Sequence, residues 1–296
     1  MTPEAIKQII AEKVEGVWKA EHSSTGHYYR HRDTSELVRS VTTKLIADKP
    51  HLLKWSIKKA VEWLEVNDRF ARLQGPERNS MMIGAQEAYT EFRDDAGSVG
   101  SVAHEVAENY INAWIKKGVA PLDIRAGFTP AADPRSIASA RAIETALKKN
   151  NVIPIATELL VGSLKIKTAG TLDFLCFWNG KLTLVDFKTS NAVSDDYACQ
   201  VACYKYMFEE MTGIKIPELK ILHLSKDYDK FTIYKVPGIA AAYKAYKGIA
   251  CYYDWLNNGK EKVEKDIIKI NLKTNYGLKN FRELSGATDT GTGNQG

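Results

Sequence analysis

The sequence predicts an α/β chain, a mixed central β-sheet flanked by helices with a helical region ahead of it. Three observations carry that prediction. Helical periodicity dominates the first half of the chain. Three strand-like runs then follow in succession, "VIPIATELLVG", "LKIKTAGTLDFLCFWNG" and "KLTLVDFKTS". Beyond them the order is helix, strand, strand, helix, which suits a sheet covered by helices.

Thr2 and Pro3 form a helix start, with Thr as N-cap and Pro in the first turn. Ile6, Ile9, Ile10, Val14, Val17 and Trp18 then recur at helical spacing. "GHYYRH" and "ELVRSVTTKL" read as short extended pieces. A helix follows over about 50–73, with Leu53, Ile57, Ala60, Val61 and Leu64 inward, and "GPERNS" breaks it. The next helix covers about 81–93, "DDAGSVGS" is a loop, and "VAHEVAENYINAWIKKG" is a helix closed by Gly118. Asp133 and Pro134 start another. Asn179-Gly180 between the second and third strands marks a tight hairpin. A helix over about 193–211, strands in "ELKILHLSK" and "KFTIYKV", and a helix over about 238–257 complete the pattern. The tail "SGATDTGTGNQG" is low in complexity and reads as disordered.

Composition excludes little. The 296 residues are 44% hydrophobic and 26% charged, and the net charge of +5 permits a polyanionic partner without establishing one. No apolar run reaches membrane-spanning length, and the first twenty residues lack the apolar core of a secretory signal. Cys176, Cys199, Cys203 and Cys251 include no C-x-x-C pair, so free thiols in a reducing cytoplasm are expected.

The third strand raises a chemical question. Leu182, Leu184, Asp186 and Lys188 share one face by alternation. An acid and a base at the end of an apolar strand are costly to bury unless paired or bound to a metal. Taken alone, D-x-K is a weak signal and reads first as a structural salt bridge at a strand end. On the preceding strand, Asp173 lies as far from the Asn179-Gly180 turn as Asp186 does, so a tight hairpin sets the two carboxylates opposite each other. Like charges opposed across a hairpin are destabilising, and a cation between them removes the repulsion. Oxygen ligands of that kind suit magnesium or manganese.

These segments resemble the PD-(D/E)XK nuclease superfamily, in its RecB-like exonuclease branch of phage and bacteria. "GTLD" (170–173) is similar to the branch's first acidic metal motif, "VDFKTS" (185–190) to its D-x-K motif, "QVACY" (200–204) to its Q-x-x-x-Y motif, and "GSVAHEVAE" (100–108) to its upstream helix with a metal-ligating His. Any one of these is common; four in this order are specific. Leu172 stands where the superfamily name has Pro, as is usual in the branch. The specific likeness covers about 98–210, and a weaker one, through "HYYRH", "SVTT" and "KPHLLKW", reaches back to about 27.

The resemblance implies a restriction-endonuclease-like core over 98–258, behind a helical region with a short β element over 1–97 and ahead of an extension over 259–284 and a disordered tail over 285–296. It implies magnesium or manganese held by His104, Asp173, Asp186 and the backbone carbonyl of Phe187, with Asp173, Asp186, Lys188 and Glu158 in the catalytic set and Lys188 acting as a cation. Gln200 and Tyr204 orient the site or hold a DNA backbone; by themselves they read equally as a helix–sheet contact. His104 and Glu108 share a helix face, and without the resemblance each reads as an ordinary helical residue; Glu158 reads equally as a solvated strand residue. The four cysteines do not have the arrangement of the branch's iron–sulfur members, so no cluster is expected.

The expected activity is hydrolysis of DNA phosphodiesters from an end, leaving 5′-phosphates, in recombination, repair or replication in the bacterial host cytoplasm. Single-stranded or duplex DNA ends are the expected partner, with a recombination or single-strand annealing protein as a candidate second one, and no membrane. A structure-specific endonuclease, or a nucleic-acid-binding module with an inactive site, are the alternatives. Lys244 and Lys247 interleave with Tyr243, Tyr246, Tyr252, Tyr253 and Trp255, which suits either stacking on bases or packing on the sheet.

Overall fold

The computed structural model describes residues 1–23, 26–45, 50–67, 72–190, 192–225 and 230–259. Helix α1 (Pro3–Lys13) starts as the sequence indicates, with Thr2 Oγ1 accepting the Ala5 amide and Ile6 and Ile10 buried. The expected continuation through Val17 and Trp18 does not form. Gly16, at φ +71, turns the chain, and β1 (Trp18–Ser23) begins instead. With β2 (Gly26–His31) and β3 (Leu37–Ser40) it forms an antiparallel meander. The second half of "ELVRSVTTKL" is also helical, as α2 (Val41–Leu45), because Ser40 Oγ accepts the Thr43 amide and caps it.

Helix α3 (Pro50–Val66) is shorter than expected, and Ile57 and Val61 on it are exposed rather than inward. It packs on α4 (Gly75–Lys117), for example through Trp63 against Gly84. α4 corrects the largest misreading. Its 43 residues run unbroken through "DDAGSVGS", and "GPERNS" is its first turn. The Ser98 and Ser101 hydroxyls donate back to the carbonyls of Asp95 and Gly97 within the helix. Gly100 serves approach, not turning: a Cβ there would lie 2.7 Å from Thr189 Oγ1. The expected boundary between residues 97 and 98 falls inside this helix.

After α5 (Pro134–Lys149), capped by Asp133, come β4 (Val152–Ser163), β5 (Thr168–Trp178), β6 (Lys181–Lys188), α6 (Asp196–Thr212), β7 (Glu218–Leu224), β8 (Phe231–Lys235) and α7 (Ile239–Asp254). The eight strands form one mixed sheet in the order β1-β2-β3-β5-β6-β7-β8, with β4 paired to β5 beside that path. β3–β5 and β6–β7 are parallel and the other pairs antiparallel. Asn179 (φ +48) and Gly180 (φ +79) make the two-residue turn between β5 and β6.

Helices α1, α2, α6 and α7 build one core on the sheet, with Ile6, Leu45, Phe208 and Tyr246 in it; α4 and α5 build the other, with Ile111 and Ile143. Tyr246 is wholly buried and Tyr243 half-buried while Lys244 and Lys247 are exposed, so this part of α7 follows the packing reading, whereas Tyr252 and Trp255 are exposed. Contacts divide the chain into Met1–Ala250 and a second unit, Cys251–Gly296, of which 251–259 are described. The expected tail, and all of the expected extension beyond residue 259, lie outside the described residues. Among the described residues no helix is long and apolar enough to cross a membrane.

Candidate metal centre

The site grows from a fork in the sheet. β4 covers β5 along its length, so β3 and β6 share the other edge of β5. β3 pairs only at Thr168 and Ala169, and β6 pairs only from Phe174 to Trp178. The hairpin keeps the expected register through five pairs and stops one short of Asp173 and Asp186. There β6 leaves β5 and stays with β7, where Asp186, Phe187 and Lys188 pair with Ile221, Leu222 and His223. The Phe187 amide, freed from β5, donates instead to Asp173 Oδ2 at 2.7 Å.

Alternation also slips here. Leu172 and Leu175 enter one core, Phe174 and Cys176 the other, so the two-residue period breaks across Asp173. On β4 the register shifts between Pro154 and Ala156, opposite Cys176 and Leu175, and Glu158, opposite Asp173, has φ +48. A left-handed glutamate within a strand is strained, and such strain gathers at functional sites. Glu158 thereby joins His104 of α4 and Asp173: one ligand atom from each lies within 4.8 Å of the others. His104 Nδ1 is 3.9 Å from Asp173 Oδ2. An open cleft of about 500 Å³ lies over them, lined also by Gly97, Gly100, Glu108, Thr171 and Thr189.

Asp186 stands apart from that trio. Lys188 Nζ sits 2.6 Å from its Oδ2, yet neither carboxylate oxygen accepts a hydrogen bond of regular geometry, although the residue is wholly buried. Burial pushes the Asp186 pKa up to about 6 against the pull of Lys188, and pushes Asp173 up against Lys188 and the Phe187 amide. Burial, with the charges of Asp173, Glu108 and Asp186, raises Glu158 to about 8. Burial and then Lys188 lower His104 to about 4, leaving a neutral imidazole able to ligate. Burial opposes the Lys188 charge, but Asp186 and Asp173 outweigh it and hold its pKa above the ordinary value. The site thus has three acids that burial makes reluctant to ionise and one lysine to balance them. One imidazole and several carboxylate oxygens, two of them lacking regular hydrogen bonds, fit a divalent cation such as magnesium or manganese.

All the residues expected at the site meet here, with one change of grouping. Glu158, not Asp186, completes the compact trio, because Lys188 engages Asp186 while the pairing of β4 with β5 sets Glu158 opposite Asp173. The Phe187 backbone faces His104 and favours its protonated form. Gln200 Nε2 donates to Tyr204 Oη at 3.1 Å, and both side chains are buried, which makes them scaffold rather than surface. Tyr204 covers Gly170, where a Cβ would lie 2.7 Å from its ring. Sequence reasoning missed Thr171 and Tyr29, whose hydroxyls lie 3.3 Å apart beside the cleft. The strand period could have flagged Thr171, two residues before Asp173; Tyr29 arrives only through the meander. Cys176 and Cys203 lie in separate cores on the sheet, Cys199 is half-buried and Cys251 exposed.

No family model matches the chain, and no curated protein matches it. Among solved structures, that of SSO0001 shares 16% identity over 54% of this chain and 75% of its own, with a TM-score of 0.27, a likeness too slight to carry an argument.

Proposed function

We propose that this chain is a metal-dependent DNA nuclease of RecB-like type, working from strand ends and leaving 5′-phosphates. The observation that carries the reading is the convergence of His104, Glu158 and Asp173 beside the Asp186–Lys188 pair, at a fork where the sheet leaves a buried carboxylate without regular hydrogen bonds. His104, Glu158 and Asp173, with Asp186 and the Phe187 carbonyl beside them, would hold the metal, which supplies Lewis-acid polarisation of a phosphate and a bound water of lowered pKa. Lys188 stays protonated beside Asp186 and offers its charge to the developing negative charge on the phosphoryl group. Gln200 and Tyr204 brace β5 from behind at Gly170, and α4 forms the wall of the cleft.

The test is incubation with end-labelled single- and double-stranded DNA in magnesium, manganese, calcium or excess chelator. Magnesium and manganese should support cleavage, and calcium should support binding with little turnover. A covalently closed single-stranded circle should remain whole, whereas an endonuclease would open it. Full activity in chelator refutes the metal mechanism.

A further inference from the structure

Lys188 is the cation of the site, and its backbone is held at the end of β6. It pairs with His223 across β7, and just beyond it His223 Nε2 donates to the Ser190 carbonyl at 2.5 Å. The ammonium sits at the end of a flexible four-carbon stem, which a pinned backbone does not fix. Asp186 Oδ2 lies 2.6 Å from Nζ. The ring of Tyr197, in the first turn of α6, has its centroid 5.0 Å from the same Nζ. Tyr197 is half-buried against the core shared by α1, α2, α6 and α7, and its amide donates to the Ser194 carbonyl, so the ring is itself anchored.

Lysines rest against rings elsewhere in the chain. Lys205 lies 4.6 Å from the Tyr206 centroid and Lys220 5.8 Å from that of Trp178, and each also pairs with a carboxylate, Glu209 and Glu218. Neither of those carboxylates belongs to the proposed metal set. At Lys188 the same arrangement has a different consequence. Asp186 is a proposed ligand, and a divalent cation draws on the carboxylate oxygens that hold the ammonium. A ring face attracts an ammonium through its quadrupole, while a hard divalent ion takes oxygen ligands and leaves the ring alone.

We infer that Tyr197 is the positioning residue of Lys188: its ring face keeps the ammonium in place when a metal engages Asp186. The catalytic part of this role rests on the nuclease reading above; the hold of the ring on the ammonium does not.

Tyr197→Phe keeps a ring face and Tyr197→Leu removes it. In single-turnover cleavage with magnesium, Tyr197→Leu should lower the rate at saturating DNA by about tenfold, and Tyr197→Phe should stay within about twofold of wild type. The half-saturating DNA concentration and the magnesium affinity should not change. In a Lys188→Ala background Tyr197→Leu should cost nothing further, whereas a merely structural ring would cost the same factor in both. Proton–carbon NMR reads the contact without activity. The Lys188 ε-methylene signal, assigned by its loss from Lys188→Arg, should lie upfield through the ring current in the metal-free wild type and in Tyr197→Phe. It should stay there when magnesium is added, and return to the ordinary lysine position in Tyr197→Leu. Tyr197→Met and Lys188→Met stand in for a leucine or alanine variant that misfolds. If the wild type cuts DNA but the ring costs the same factor in both backgrounds, the assignment is overturned and the nuclease reading stands. An ε-methylene signal that is unshifted, or that loses its shift in magnesium, overturns it equally. If the wild type cuts no DNA, that reading falls and the NMR decides alone. A shift that persists in magnesium and is lost in Tyr197→Leu then upholds Tyr197 as the holder of Lys188, and any other pattern overturns it.

Discussion

Glu209 and Asp186 are both buried carboxylates, one on α6 and one on β6, and the fold treats them in opposite ways. Glu209 accepts from the ammonium groups of Lys205 and Lys215 and from the Ile216 amide. Asp186 has one cation beside it and no hydrogen bond of regular geometry. Burying a charge is expensive, and Glu209 shows that this chain can satisfy one fully. The two ends of β5–β6 repeat the contrast. At the turn, five pairs run in register; at the fork, the ladder parts, Glu158 takes a left-handed backbone and three acids crowd. Left-handed non-glycine residues also occur at Ser35, Asn151, Lys167 and Asn179, but at the fork the strained Glu158 stands beside an acid lacking regular hydrogen bonds, and that combination suits a site kept for a ligand.

The contrast is broken most directly at Lys188. Lys188→Ala should lower single-turnover cleavage on the order of a hundredfold or more, through loss of charge stabilisation at the phosphoryl group. It should also cost about 3 kcal/mol of stability, because Asp186 stays buried without its counter-charge. Metal and DNA binding should survive, since backbone contacts are spread widely. Asp186→Ala should abolish cleavage and weaken metal binding. The decisive comparison takes melting and cleavage on the same preparation. A folded, DNA-binding Lys188→Ala protein that cuts at the wild-type rate ends the catalytic assignment.

Glu158 sharpens it next. Glu158→Gly and Glu158→Ala both remove a proposed ligand, and both should lose metal affinity by about tenfold or more. Backbone strain separates them. At φ +48 the glycine variant should be the more stable by about 1 kcal/mol, read from paired denaturant melts. Equal stabilities would show that the left-handed backbone stores nothing.

Much of this fork was legible in the sequence, and what was not has identifiable causes. Asn179-Gly180 sets the hairpin register because both positions need positive φ, and that register carries Asp173 towards Asp186. The slip at Asp173 and the irregular β4 were not legible, because strict alternation assumes a regular ladder and tertiary pairing overrides it. "DDAGSVGS" misled because glycine serves two purposes. It marks turns, but here it lets a helix approach Thr189 and leaves a cleft open. β1 was hidden by apolar residues that continue the helical period of α1 past Gly16, where the backbone reverses. Ile57 and Val61 fit a helical period too, yet they are exposed, since periodicity names a face and not what covers it.

The regular end of the hairpin predicts the reverse pattern from the fork. Gly180→Val places a β-branched residue at φ +79 and should cost roughly 1–2 kcal/mol. Cleavage per folded molecule and manganese affinity should not change, because the five intervening pairs insulate the site. Loss of metal affinity in a folded Gly180→Val protein would mean that the turn and the fork are one strained unit rather than two.

Glu209 gives the smallest effect and the cleanest sign. Burial pushes its pKa up, but Lys205, the Ile216 amide and Lys215 outweigh burial and hold it below the ordinary value. A carboxyl depressed in the folded state binds its proton more weakly there than in the unfolded chain. Its contribution is therefore complete above the unfolded pKa of about 4.3 and is lost as pH falls through the lower folded value. Glu209→Gln keeps the shape but not the charge. At neutral pH it should cost about 1 kcal/mol, the worth of hydrogen bonds to a charged group less those the amide retains. Between about pH 5 and pH 3 the wild type should lose stability faster than the variant, so that the two curves converge in acid. Denaturant melts over that range measure the gap directly. A gap that stays constant or widens as pH falls would show that Glu209 is not the satisfied carboxylate against which Asp186 has been set.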